Sequence, residues 1–335
     1  MVTLAVVGGL SLVAIVLIDV AWTAIAAGSG AGPLTSRVAE GLWRASLAVH
    51  RRWSSHRLLT VMGVVVVFAV LAMWIALILV GWSLVFGVAS GAVRDASSSL
   101  PADLVDRWYF VGYTVFSLGT GDYVPGEGTW QLGTVVATGT GLVMITMSIT
   151  YLVPVAAAAA DRRELAAYIW SLGSDPTEIV RTGWDGTGFD GLAQHFVELT
   201  TRLTTLRQQH LTYPIVQYFH SGNRANSAAP NVANLAQVLH LLDHGVDPSV
   251  RMPASVQRPL ERALDDYLAT LGENRITEDQ PIEPASLDRV RELGVPTVAD
   301  CEYVDGERPT RRRRALVAGL LVADGWSGAD ADPAV

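Results

Sequence analysis

Residues 113–125 read Tyr-Thr-Val-Phe-Ser-Leu-Gly-Thr-Gly-Asp-Tyr-Val-Pro, and they lie between two charge-free apolar runs at 58–93 and 130–160. At a rise of about 1.5 Å per residue, each run is long enough as a helix to cross a hydrocarbon core of about 30 Å. A short segment with two glycines and a terminal acid, held between two crossings, has the make-up of a re-entrant loop. Non-helical backbone is tolerated at membrane depth only where it is buried in protein or lines a water-filled path. There its carbonyls can replace the water around a cation.

Working outward, a further apolar run covers 4–27 and is interrupted only by Asp19. It lacks a basic leading region and a small-residue cleavage pattern, so a retained helix is expected here and not a cleaved signal. A carboxylate in such a helix is costly in lipid, so Asp19 is expected to face protein, hydrogen-bonded at a helix interface. Half of the 335 residues are hydrophobic and 17% are charged; the mean hydropathy is +0.33. That balance is too apolar for an ordinary soluble protein of this length.

All 24 basic residues are Arg, and the formal charge of −8 argues against general nucleic-acid binding. Cys301 is the only cysteine, which excludes an intrachain disulfide and a cysteine-based metal centre. A lone cysteine is most often a buried structural thiol, and that is the expectation for Cys301. Between the first two runs stand Arg37, Arg44, Arg51, Arg52 and Arg57 against Glu40 alone, and Arg162 and Arg163 follow the third run. The positive-inside rule makes that side cytoplasmic. The N-terminus is then outside, the loop enters from outside, and the chain beyond 160 is cytoplasmic, in a multi-pass protein of the cell membrane. No run has arginine at every third position, so a voltage-sensing helix is not expected.

The region 58–160 resembles the outer helix, pore helix, filter and inner helix of the tetrameric pore-loop potassium channels, whose filter commonly reads Thr-Val-Gly-Tyr-Gly-Asp. The matching residues are Ser117-Leu118-Gly119-Thr120-Gly121-Asp122, and the resemblance covers about a third of the chain. It implies an ion-binding filter made by the carbonyls of Ser117, Leu118, Gly119, Thr120 and Gly121. Glycine at 119 and 121 permits backbone angles closed to other residues. A pore helix is expected at 104–115, capped by Asp103, with the negative end of its dipole toward the pore. Asp122 and Glu127 would add negative charge at the outer mouth.

Two departures stand out. Ser117 replaces the usual Thr, and Thr120 replaces the usual aromatic residue that packs behind the filter. Tyr113 is expected to supply that ring, with a hydroxyl bonded to Asp122; ordinary helix packing is the equal alternative. The family's inner-helix hinge glycine falls at Gly141, with Gly139 as the fallback, and close helix packing competes with the hinge role for either. Pro154 is expected to kink or end the inner helix near the inner surface. Thr146, Ser148 and Thr150 are expected either to wet a cavity or to bond back to the helix. One chain carries one such loop, so a carbonyl ring requires several copies, and the family precedent is a homotetramer.

Beyond residue 160 helical periodicity dominates and strand alternation is scarce. Helices are expected from 174–178 onward, at 189–210 with Leu192, Phe196, Leu199, Leu203 and Leu206 on one face, and at 231–244, 253–271, 284–293 and 309–323. Residues 272–283 read as a polar linker and 328–335 as a disordered tail. No glycine-rich nucleotide fingerprint follows a strand, so the domain does not resemble the nucleotide-fold regulators of such channels. His240 and His244 have a metal-binding spacing, outweighed by a packed or solvated pair. The aromatic run 210–220 reads as core or subunit contact, and Arg311–Arg314 as a solvated basic face.

The sequence therefore reads as an all-α membrane protein in four parts: an N-terminal helix with a basic connection (1–57), a pore module (58–160), a helical cytoplasmic domain (161–327) and a tail. The expected function is a potassium-conducting channel subunit in a lipid bilayer, with no cofactor beyond the permeant K+. The alternatives are a poorly selective channel that also passes Na+, or a non-conducting scaffold or receptor that retains the pore fold. No catalytic constellation favours an enzyme, and the ligand of the cytoplasmic domain is not legible.

Overall fold

Long apolar runs can make most of their backbone hydrogen bonds within the segment as helices, and all three runs form helices. The computed structural model describes residues 2–25, 30–53, 56–274, 276, 278–305 and 307–326. Helices α1 (Val2–Ile25), α3 (His56–Gly87) and α5 (Thr129–Leu172) are long and apolar enough to cross a membrane. Between α1 and α3 the arginine-rich connection is itself a helix, α2 (Pro33–Trp53). Helix α4 (Leu104–Val115) covers the expected pore-helix residues. A small antiparallel ribbon, β1 (Val93–Asp95) with β2 (Tyr123–Pro125), pairs Val93 with Pro125 and Asp95 with Tyr123. The all-α expectation is thus modified by one ribbon, whose strands of three residues are too short to show alternation.

The chain divides into two compact units: Met1–Leu42 with Val64–Val155, and Trp43–Gly63 with Ala156–Val335. In the first, α1 and α3 approach so closely that a Cβ on Gly9 would lie 2.5 Å from the Gly81 carbonyl oxygen. Small residues permit this kind of backbone contact in lipid, where dispersion replaces the hydrophobic effect as the drive for packing. Asp19 is buried, and it accepts from the Leu34 N–H (2.8 Å), the Thr35 hydroxyl (2.7 Å) and the Trp74 indole N–H (3.0 Å). It therefore satisfies free N–H groups at the start of α2 while tying α1 to α3, as a hydrogen-bonded interface carboxylate should. Trp74, Ile78, Trp82, Phe86 and Phe110 form the inside of this unit, while Leu4, Ile18, Phe68, Leu132, Val135, Leu142 and Ile149 lie exposed on the helices.

The second unit is built around α7 (Asp190–Thr212), whose Leu192, Phe196, Leu199, Leu203 and Leu206 are all buried as their spacing requires. It packs on α9 (Ala254–Asn274) and α6 (Pro176–Gly183), and the almost wholly buried α8 (Ala228–His240) packs in turn on α6 and α9. A π-helical turn, Leu241–Gly245, ends α8. Short helices α10 (Leu287–Glu292) and α11 (Asp300–Asp305) lead to α12 (Glu307–Ala323). Within the aromatic run 210–220, His210, Ile215, Val216, Tyr218 and His220 are buried, so it is core. Residues 328–335 lie outside the described residues.

Candidate functional site

Asp103 opens α4 with a complete capping box. Its carboxylate accepts from the Asp106 N–H at 2.9 Å, while Asp106 reaches back to the Asp103 N–H at 3.3 Å. An N-cap of this type stabilises a helix by about 1 kcal/mol, and the acids sit at the positive end of the dipole. At the other end the chain leaves the helix tightly: Ser117 N–H donates to the Thr114 carbonyl (3.1 Å) and Leu118 N–H to that of Tyr113 (2.8 Å).

From there the backbone alternates. Ser117, Gly119 and Gly121 have φ of +58°, +63° and +79°, whereas Leu118 and Thr120 do not enter the left-handed region. In an ordinary strand successive carbonyls point to opposite sides; alternation of φ sign removes that reversal and lets them share a side. Among the described residues no backbone N–H is bonded to the carbonyls of Ser117, Leu118, Gly119, Thr120 or Gly121, and all five residues are exposed. That Ser117 also adopts positive φ was not legible from its residue type, because left-handed backbone is unfavourable for a side chain with a Cβ.

The aromatic support differs in detail from the expectation. Tyr113 is buried behind the loop, packed edge-on against Tyr109 (5.2 Å between centroids) and Phe110 (5.4 Å). Its hydroxyl donates to the Tyr123 carbonyl, not to Asp122. The hydroxyl that reaches Asp122 is that of Tyr109, at 3.2 Å. Tyr109 lies four residues before Tyr113 on the same helix face, and that spacing is the signal that would have found it. The Asp122 carbonyl accepts from Ala96 N–H at 2.9 Å, so the ribbon anchors the far end of the loop. Glu127 is exposed just beyond β2.

Gly141 faces the end of α4. A Cβ there would stand 1.8 Å from the Val115 carbonyl oxygen, so the local requirement for glycine is close packing. Gly139 has open space around its missing Cβ. Pro154 does not end the helix: α5 continues to Leu172, twelve residues past the expected limit at 160. A helix interior can carry a proline when the i−4 carbonyl loses its donor without the axis breaking. Thr146 bonds back to the Leu142 carbonyl at 2.9 Å.

In the second unit a buried polar cluster gathers residues that the sequence keeps far apart. Arg162 donates to Asp324 at 2.8 Å and to the Phe219 carbonyl. His220 lies 3.5 Å from Asp324 and 3.1 Å from His56, which stacks on the His220 ring and sits 4.7 Å from the ring of Trp326. Burial pushes the Asp324 carboxyl up, but Arg162 and His220 outweigh it and hold it below the usual carboxylate range.

The remaining expectations are adjusted. His240 is buried, bonded to Thr310 at 3.2 Å and set against Tyr303, and His244 lies within the π turn that follows it. Among the described residues no three or more His, Cys, Asp or Glu are placed to hold a metal. The arginine run is divided: Arg311 and Arg312 are exposed, Arg312 meeting Glu278, while Arg313 forks onto Asp265 at 2.6 and 2.8 Å and buried Arg314 donates to the Ile282 carbonyl. Cys301 is exposed, because it falls at the surface of a short helix outside the core.

No family model matches the chain, and no solved structure does. Over 321 residues it is 31% identical to "Uncharacterized membrane protein YdjJ" of Bacillus subtilis (strain 168), with 95% of this chain and 93% of that protein covered. The chain therefore belongs to the family of YdjJ and is a helical membrane protein.

Proposed function

We propose that this protein is the subunit of a pore-loop cation channel that conducts potassium. The observation that carries the reading is the segment 117–121: alternating φ, exposed, with five unbonded carbonyls, directly after a capped helix that ends against Gly141. Four copies around an axis would turn those carbonyls into stacked rings, with the C-terminal end of each α4 favouring a cation and Asp122 and Glu127 at the outer mouth. In this arrangement the N-terminus is outside and residues after α5 are cytoplasmic, following the arginine bias. Bending of α5 about Gly141 or Gly139, or at Pro154, would open the inner end.

Current through purified protein in a planar bilayer, with K+ on one side and Na+ on the other, tests this. The expected result is a reversal potential biased strongly toward K+ and loss of current in Gly119→Ala, where φ of +63° opposes any side chain. A reversal potential near zero would assign a relaxed filter, for which Thr120 in place of an aromatic is the specific cause. Folded oligomer that passes no cation in either direction would overturn the channel reading in favour of a membrane scaffold.

A further inference from the structure

The end of α12 is gripped by side chains from four separate parts of the second unit. The Trp43 indole N–H donates to the Ala323 carbonyl at 3.2 Å, and His50 Nε2–H donates to that of Gly325 at 3.0 Å. Arg162 of α5 holds one oxygen of Asp324, and the Trp326 indole N–H donates to the Ser227 hydroxyl at 3.0 Å. The Trp326 ring lies 4.7 Å from that of His56, the first residue of α3, and 5.8 Å from that of His220. Gly325 has φ of +85°, and a Cβ there would stand 2.5 Å from a Leu59 methyl, so the segment has little room to shift.

The histidines limit how many protons this grip can hold. A carbonyl only accepts, so His50 Nε2 carries a hydrogen, and its Nδ1 is buried with no hydrogen-bond partner among the described residues. His56 Nδ1 and His220 Nε2 face each other at 3.1 Å, a spacing that fits one hydrogen and not two. On the other side of His220, Nδ1 lies 3.5 Å from Asp324 Oδ2, and both atoms are buried without a hydrogen-bond partner among the described residues. One added proton is therefore accommodated, as an imidazolium between Asp324 and His56. A second places like charges on rings 4.7 Å (His50 and His56) or 5.2 Å (His56 and His220) apart, with His50 only 8% exposed and His220 wholly buried. The surroundings do not offset that charge. Arg162 already cancels Asp324, and Asp161 beside it is taken up by the Gln209 amide. Tyr267 of α9, lining the small space around Arg162 and Asp324, stays neutral, because burial pushes its ionisation up to about 12. Arg51, Arg52 and Arg57 are exposed and of the wrong sign. Uncompensated buried charge is costly.

We propose that His50, His56 and His220 make the seat of residues 323–326 a proton-released clasp, closed at neutral pH and opened by acid. Once released, the three rings titrate as free imidazoles near 6.5 and take three protons where the clasp takes one. Each extra proton bound by the released form shifts the balance toward release by about 10-fold for every pH unit below that value. Half-buried His56 gives the proton its entry. The clasp does not depend on ion conduction.

Hydrogen exchange read by mass spectrometry on the full-length protein in detergent tests this between pH 7.5 and 5.0. Protection is taken relative to an unstructured peptide of the same sequence at each pH, which cancels the intrinsic pH dependence of exchange. The reporting amides are those of Asp324, Gly325 and Trp326, bonded to the carbonyls of Leu320, Val322 and Leu321. Their protection should fall by about 10²- to 10³-fold across that range, while amides of the α7 core stay protected. His50→Gln and His56→Gln, made separately, each remove one excess proton and should reduce the fall to about 10- to 30-fold. A wild-type protection at 324–326 that is constant or rises in acid overturns the proposal. So does a fall shared equally by α7, which would be global unfolding, or the full wild-type fall persisting in both variants.

Discussion

Substituting Gly141 and Gly139 separately by alanine isolates one packing contact. At Gly141 the new Cβ would lie 1.8 Å from the Val115 carbonyl oxygen, and real Cβ contacts essentially never fall below 3.0 Å. Helix α5 and the end of α4 must therefore part by the difference, 3.0 less 1.8 or 1.2 Å. Overpacking of this kind costs about 1–3 kcal/mol, while alanine returns about 1 kcal/mol of helix propensity. At Gly139 nothing lies within 4 Å, so only the propensity gain remains. The two variants thus share the same favourable term and differ by the clash. Thermal unfolding in detergent at one scan rate, followed by tryptophan fluorescence, should place Gly141→Ala below Gly139→Ala. At roughly 2–4 °C per kcal/mol the gap is about 2–12 °C. Equal midpoints would refute the packing argument. Val115 stands two residues before Ser117, so under the proposed channel function the same displacement should alter ion selectivity in Gly141→Ala and leave it intact in Gly139→Ala.

Other consequences follow from the buried polar groups. Asp19→Ala strands the Trp74 indole N–H and the Thr35 hydroxyl, so a loss of about 3 kcal/mol or more is expected in the thermal midpoint, with Asp19→Asn intermediate. Breaking the buried Arg162–Asp324 pair by alanine at either end should cost about 3–5 kcal/mol, and a double-mutant cycle should show that the second substitution adds little. His240 is held neutral by burial first, then by His244, Arg314 and Arg313, which bring it from 6.5 down to about 3. The unfolded chain binds this proton more readily, so the contribution is whole above pH 6.5 and falls as pH drops toward 3. His240→Gln should flatten the pH dependence of the unfolding midpoint across that window.

Elements whose signal is local were legible in the sequence. The helix at 104–115 is bounded by its capping acid, and the structure has Leu104–Val115 as α4. The apolar stripe of α7 was legible because burial on one face imposes the helical period directly on the sequence. What escaped is either too short or too distributed. Helix α2 was hidden because its arginines mark topology more loudly than its amphipathic spacing marks structure. The ribbon has no alternation to detect, and α11 is only six residues long. Tyr109 is marked only by its spacing four residues before Tyr113, which ordinary helix packing explains equally well. The cluster of His56, Arg162, His220 and Asp324 spans most of the chain, and no spacing rule joins residues that only tertiary packing brings together.

The exposed Cys301 gives the oligomer question a direct count. Each polypeptide holds one thiol, and it is at the surface, so a maleimide dye attaches once per polypeptide without any engineered site. Particles reconstituted singly into nanodiscs and bleached under a microscope would then lose their fluorescence in as many steps as there are chains. Four steps would fit a closed ring of carbonyls, and one or two would leave the proposed filter segment without an axis to surround.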